Sequence, residues 1–240
     1  MRRTGCPVPR RGRSPSRSTP PCARLPQWWP GIILFALGGC IHAPAASDWT
    51  VEAQDPAARV GFASGTIDID TARGLTLWYD RRLDAPVRIT FEAMAVSAGG
   101  PNDQVSDLNA FWMASDPAVP DGSVFAAKRS GKFEDYDTLA TYYVGIGGNR
   151  NTTTRMRRYT ARAGDRPLLP EHDRADPAAL LVANRWTRIA LIARDGQVAV
   201  ERDGKRLFAM TDAEPYRSGW FGIRTTQSHL RIRRLRITRF

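Results

Sequence analysis

The chain has 240 residues, with 35 Lys and Arg against 24 Asp and Glu, a formal net charge of +11. Seven of the arginines fall within residues 1 to 39, which carry no acidic side chain; subtracting them from the 35 leaves 28 against 24, or +4, which argues against a nucleic-acid partner. All three cysteines (Cys6, Cys22, Cys40) lie at or before position 40, so the remaining part, about 200 residues, closes no internal disulfide and must be held by packing one sizeable core.

The amino-terminal segment scatters prolines and serines among its arginines and then runs apolar from Trp28 to Leu37. At about ten residues that run is too short to span a bilayer and suits the core of a signal peptide. It ends in Leu37-Gly38-Gly39-Cys40, which resembles the bacterial lipobox. The resemblance implies that residues 1–39 are removed as a lipoprotein signal peptide and that Cys40 is lipidated. Residues 40–48 then form a linker to a domain over 49–240. Each buried methylene of a lipid chain contributes about 0.8 kcal/mol to holding the domain at a membrane. Ile41, in place of Asp, resembles the outer-membrane sorting pattern, so the expectation is an outer-membrane-anchored lipoprotein of the cell envelope.

From Trp49 onward apolar and polar residues alternate over short segments bounded by glycine, proline and aspartate, the pattern of half-buried strands. In chain order, strands are expected near Thr50 to Ala53, Arg59 to Phe62, Thr66 to Asp70, Leu75 to Tyr79, Val87 to Ala95, Leu108 to Ala114 and Ala140 to Ile146. They continue near Thr153 to Thr160, Trp186 to Arg194, Gln197 to Arg202, Arg206 to Thr211, Trp220 to Thr225 and Leu230 to Arg239. So many short strands, with almost no helical periodicity, predict an all-β fold of two stacked antiparallel sheets. Asp195-Gly196 and Asp203-Gly204 are turn dipeptides that make a three-stranded meander. In the last strand the apolar phase shifts from Leu230 and Ile232 to Leu235 and Ile237, which requires a bulge at Arg233-Arg234. Gly99 to Ser106, Asp116 to Lys132 and Arg162 to Ala183 read as long loops of the functional or mobile kind, the last with one helical turn around Asp176 to Val182.

Gly74 to Tyr79, Val87 to Ala93, Arg185 to Asp195, Asp203-Gly204-Lys205 and Gly219-Trp220-Phe221-Gly222-Ile223-Arg224-Thr225 resemble the concanavalin A-like lectin/glucanase superfamily. A Gly-aromatic-Gly-x-Arg strand near the end is common in its jelly rolls. Ser106 to Met113, Tyr142 to Asn149 and Thr152 to Tyr159 are similar, more narrowly, to a bacterial family of unknown function within that superfamily. The resemblance spans roughly Trp49 to Phe240 and implies a concanavalin A-like jelly-roll β-sandwich of two antiparallel sheets. For activity it implies only a glycan, bound or cleaved, since the superfamily holds lectins, glycosidases and polysaccharide lyases.

Residue types for such a role occur in clusters. By period two, Asp107, Asn109, Phe111 and Met113 share one strand face, with Leu108, Ala110 and Trp112 on the other. Asp107 and Asn109 are candidate ligand contacts, or caps of a turn, or ligands of a structural calcium ion; no other cofactor and no catalytic metal is indicated. Tyr143, Gly145 and Gly147 alternate with Tyr142, Val144, Ile146 and Gly148, and the glycines leave room for a ligand or another backbone. Thr153, Arg155, Arg157 and Tyr159 share a face, as do Thr154, Met156, Arg158 and Thr160; arginines spaced by two could share a carboxylate or simply pair with nearby acids. Of the histidines, His229 follows the Gly-aromatic-Gly-x-Arg strand at an expected turn, whereas His172 lies in a loop and His42 in the linker.

The Glu-x-Asp-x-x-Glu pattern of glucanases is absent, which disfavours retaining hydrolysis. β-Elimination from a uronate asks for arginine and amide groups on the carboxylate and for a tyrosine or histidine as base and acid. On that reading His229, Tyr143 and Arg158 are the catalytic candidates. Asp107, Asn109, Trp112, Tyr142, Asn149, Arg155 and Arg224 would bind substrate. The alternatives are a non-catalytic glycan-binding lipoprotein, an atypical glycoside hydrolase, and a structural envelope protein.

Overall fold

The computed structural model describes residues 45–240; the expected signal peptide and Cys40 lie outside the described residues. Thirteen strands run β1 (Trp49–Ala53), β2 (Arg59–Ala63), β3 (Thr66–Tyr79), β4 (Leu83–Asp84), β5 (Val87–Ala95), β6 (Leu108–Ser115) and β7 (Ala140–Gly147). They continue as β8 (Thr153–Thr160), β9 (Asp173–Arg174), β10 (Thr187–Arg194), β11 (Gln197–Arg202), β12 (Lys205–Thr211) and β13 (Ser218–Arg239). Among the described residues no helix is long and apolar enough to cross a membrane.

All strand pairings are antiparallel, and two long strands join the layers. The expected strands 66–70 and 75–79 are one strand, β3, and 220–225 and 230–239 are one strand, β13. The expected breaks face each other, Thr226 opposite Gly74 and His229 opposite Asp70, with a register shift between Thr226 and Ser228. Paired irregularities let both strands bend together, so the residues that looked like a turn keep their ladder. The first half of β13 pairs with β6, the second half with β5. The first layer therefore holds β1, the end of β3, the start of β13, β6, β7, β8 and β9; the second holds β2, the start of β3, the end of β13, β5, β10, β11 and β12.

Between the layers lies the main core, to which β5 contributes Val87, Ile89, Phe91, Ala93 and Ala95, β10 Ile189 and Leu191, and β13 Phe221, Ile223, Leu230 and Ile232. Full burial of each large apolar side chain contributes roughly 1.5–3 kcal/mol. The meander turns are as expected: Asp195 and Gly196 have φ of 49° and 78°, Asp203 and Gly204 51° and 78°, the two positive values that a tight hairpin needs. The register of β13 against β5 shifts between Arg233 and Arg236, with Arg234 at φ 54°, where the apolar phase had called for a bulge. The helical turn is also present, as a short 3-10 segment at Pro177–Ala179.

The connection 116–139 is not an open loop. It packs across the outer face of the first layer, where Val124, Tyr136 and Leu139 join Trp78, Phe111, Tyr143, Tyr159 and Trp220 in a second aromatic core. Its anchor is the buried Glu52, which accepts hydrogen bonds from Trp78 Nε1 (2.9 Å), the Tyr136 hydroxyl (2.9 Å) and the Arg129 backbone (3.2 Å). Arg129 in turn donates to Asp116 at 2.6 Å and to the Val124 carbonyl at 2.5 Å. The loop thus covers one end of the outer face and leaves the other end open.

Candidate functional site

The uncovered end is a cleft of about 340 Å³. Its floor is a row across four strands: Arg224 on β13 lies opposite Asn109 on β6, Asn109 opposite Gly145 on β7, and Gly145 opposite Arg155 on β8. One step along, Phe111, Tyr143 and Arg157 form the next row. The gap in the floor is Gly145. A Cβ built there would stand 2.7 Å from the Tyr143 hydroxyl and 3.0 Å from Asn109 Oδ1, so the tyrosine ring lies along its own strand above the glycine. Phe133, from the covering loop, closes one side.

The far rim is backbone held in an unusual conformation. Gly147, Asn149, Arg150 and Asn151 have φ of 67°, 52°, 56° and 61°, a left-handed turn that costs a non-glycine residue roughly 1–2 kcal/mol. Asn151 pins it by exchanging hydrogen bonds with the backbone of Leu181, at 3.0 and 2.8 Å. Asp107, at φ 56°, completes the rim with Ser106 and Gln104. Strain of this kind persists where surrounding structure holds it, and it gathers at binding sites.

The polar groups of the cleft are incompletely satisfied. Asn109 is 3 % exposed and donates Nδ2 to Asp107 at 3.3 Å, while its Oδ1 has no hydrogen-bond partner among the described residues. Arg224 is 2 % exposed. It donates from Nη1 to Thr76 (3.1 Å) and to the Gly131 carbonyl (2.8 Å), with its guanidinium 5.1 Å from the ring centres of both Phe133 and Tyr136. Burial pulls its pKa down from the usual arginine value. Burial also pushes the Asp107 carboxyl up, against the lowering effect of hydrogen bonds from Ser106 (2.5 Å) and Asn109. The Tyr143 phenol is raised well above its ordinary value, chiefly by burial and then by Tyr159 and Asp107, so it is a proton donor at neutral pH. Among the described residues no group of three or more His, Cys, Asp or Glu could hold a metal ion. For a calcium ion at Asp107 the cleft offers that one carboxylate, in a setting that favours its protonated form.

Profile comparison decides the family: the profile of the domain of unknown function DUF6250 matches residues 69–235. The chain belongs to that family. The family's span contains every residue of the cleft, from Gln104 to Gln227. No curated protein matches the chain. Among solved structures, a protein of unknown function with a galectin-like fold from Bacillus subtilis is similar at TM-score 0.63 and 15 % identity, over 80 % of this chain and 90 % of that one. The carbohydrate binding module CBM66 from Bacillus subtilis is similar at TM-score 0.53 and 8 % identity, over 80 % and 95 % of the two chains. The exoplasmic/lumenal domain of VIP36, in a form bound to Ca2+ and Man3GlcNAc, is similar at TM-score 0.51 and 13 % identity, over 82 % and 85 %. At these identities the likeness establishes the lectin-like β-sandwich and nothing finer.

Six of the ten residues singled out from the sequence come together in the cleft: Asp107, Asn109, Tyr143, Asn149, Arg155 and Arg224. The other four do not. Trp112 and Tyr142 point into the main core, where their rings are 5.5 Å apart. Tyr142 donates to Asp212 at 2.6 Å, and Arg158 donates to the same carboxylate at 2.7 Å with its guanidinium 4.5 Å from the Tyr216 ring. In each case the sequence neighbour, Phe111, Tyr143 or Arg157, is the one on the outer face. His229 corrects the expectation most plainly. It sits within β13, not at a turn, with its two ring nitrogens 2.9 Å from Asp103 and 2.9 Å from Asp68, and clasps the 96–107 segment to β3. Among the cleft residues not singled out were Arg157, Arg150, Gly145, Gln104 and Phe133. For Arg157 and Gly145 the signal was present in their period-two partnership with Arg155 and Tyr143.

Proposed function

We propose that the protein binds a glycan in this cleft, as a lectin-like module of the broad concanavalin A-like type. One observation carries the reading: a half-open polar cleft on the outer sheet face presents a buried, unpartnered Asn109 oxygen, arginine donors and the Tyr143 phenol around a floor opened by Gly145. Sugar hydroxyls pair with such groups, and the C–H face of a ring packs against Tyr143 and Phe133. The carbohydrate-binding neighbours of the same fold agree with it. Titration of the full chain with a panel of oligosaccharides tests it: binding weakened by Asn109→Ala is expected, and absence of any binding refutes it.

The second reading, cleavage of the bound chain, is favoured by Tyr143 and Asp107 facing the same cleft. Elimination would need Tyr143 as a base, yet burial moves its phenol away from neutrality, and neither His229 nor Arg158 reaches the cleft. Hydrolysis by paired carboxylates finds Asp107 alone among the cleft-lining residues. Binding therefore ranks ahead of catalysis. Ultraviolet absorbance of unsaturated ends and a reducing-end assay on the same saccharides decide the point. The lipobox-like Leu37 to Cys40 places the module, in this proposal, at the cell envelope on a lipid anchor; loss of fatty-acid labelling in Cys40→Ala tests that part.

A further inference from the structure

We infer that the sugar taken by the cleft is acidic, and that the cleft arginines without an ion pair, Arg224 on one side and Arg157 on the other, favour its carboxylate; the inference rests on the glycan reading and names its ligand class. Four arginines line the cleft, Arg150, Arg155, Arg157 and Arg224, against the single carboxyl of Asp107. Of these, Arg155 is already engaged, as a bidentate pair with Asp173 at 2.8 and 3.1 Å. Among the described residues no carboxylate lies within ion-pair distance of the other three.

Arg224 is the decisive member. A guanidinium that is 2 % exposed is ordinarily compensated, because an isolated buried charge loses its hydration and gains nothing in return. Here both hydrogen bonds leave from Nη1, toward a hydroxyl and a carbonyl, and the rings of Phe133 and Tyr136 add only cation–π contact. Among the described residues no carboxylate forms an ion pair with it, and Asp107 and Glu134 act on its charge only from further off. On the facing side of the cleft Arg157 gives one hydrogen bond to the Arg166 carbonyl and no ion pair. A planar fork of N–H donors fits a carboxylate better than a neutral hydroxyl, and Asn109 with Tyr143 between the two arginines suits the hydroxyls of the same ring. The one acid in the cleft, Asp107, is held by Ser106 and Asn109, and burial raises its pKa. A neutral sugar would leave Arg224 as it stands; a uronate supplies the missing charge.

The test uses the full chain and matched saccharides: oligogalacturonides and oligoglucuronides, their methyl esters, the neutral oligosaccharides of the same linkage, and a sulfated neutral oligosaccharide. Binding is read by calorimetry, and folding of each variant by its melting temperature. The expected result is that one acidic series binds about tenfold or more tightly than its own methyl ester. Arg157→Gln, at the rim, is expected to remove that preference while residual affinity for the ester persists, and Arg224→Lys, which keeps the charge but loses the fork, is expected to reduce it. Arg157→Gln carries the test should Arg224→Lys fail to fold. Equal affinity for acid and ester overturns this inference and leaves glycan binding standing. A preference retained in Arg157→Gln overturns the residue assignment, and a sulfated sugar bound as well as the uronate overturns the carboxylate. No saccharide bound at all overturns both readings.

Discussion

Gly145→Ala gives the sharpest test of the cleft because it adds one carbon and removes no charge. The new Cβ would lie 2.7 Å from the Tyr143 hydroxyl and 3.0 Å from Asn109 Oδ1, where ordinary contact begins at 3.4 Å, so the two oxygens must retreat by 0.7 and 0.4 Å. Tyr143 cannot yield freely: its ring lies 5.6 Å from Tyr159, 5.2 Å from Phe111 and 5.4 Å from Phe133. Overpacking of this order costs about 1–3 kcal/mol, and the lower entropy of an unfolded chain with Ala offsets about 0.4–1 kcal/mol of that. A net loss of about 1–2 kcal/mol is expected in urea unfolding. Saccharide affinity should fall by about tenfold or more, because the methyl group fills the floor and both displaced oxygens are the proposed ligand contacts. A variant that binds like the wild type, with the stability loss present, would refute the placement of the ligand over Gly145.

Asp107→Asn should stabilise the protein with a pH signature. Burial raises the Asp107 pKa in the folded state, so its contribution is fully present below its unfolded value, about 3.9, and is lost as pH rises through the folded value. The melting-temperature gain of the variant should therefore grow from acid toward neutral pH; a constant gain would contradict the assignment. Asp212 behaves in the opposite sense: burial pushes it up, but hydrogen bonds from Tyr142 and Arg158 more than offset this, so its stabilisation exists above the unfolded value and fades as pH falls through the folded one. Arg158→Gln is expected to cost about 1–3 kcal/mol and to move acid unfolding to higher pH, with saccharide affinity unchanged; lost affinity would return Arg158 to the site. Glu52→Gln puts an amide N–H₂ where carboxylate oxygens accept from Trp78, Tyr136 and Arg129. About 2–3 kcal/mol should be lost. Hydrogen exchange should rise across 116–139, and unchanged protection there would remove Glu52 as the loop's anchor.

Much of this protein was determined by its sequence alone, because strand formation answers to local pattern. Period-two alternation located β5, β8 and β11 to the residue, the Asp-Gly dipeptides placed both hairpins of the meander, and the phase shift at Arg233-Arg234 marked the bulge. The same period sorted Tyr143 with Gly145 and Arg155 with Arg157. It could not say which face looks outward: Arg158 shares its side with Met156, and only the packing of the two layers shows that side to be core. The tertiary structure alone decided the rest. Whether Thr226 to His229 turns or bends depends on the matching irregularity in β3, more than 150 positions away in sequence. The covering of one end of the outer face by 116–139 depends on Glu52, from the first strand. That Arg224 is buried without an ion pair among the described residues is likewise a property of everything around it, established by all its neighbours together and by no single residue in the chain.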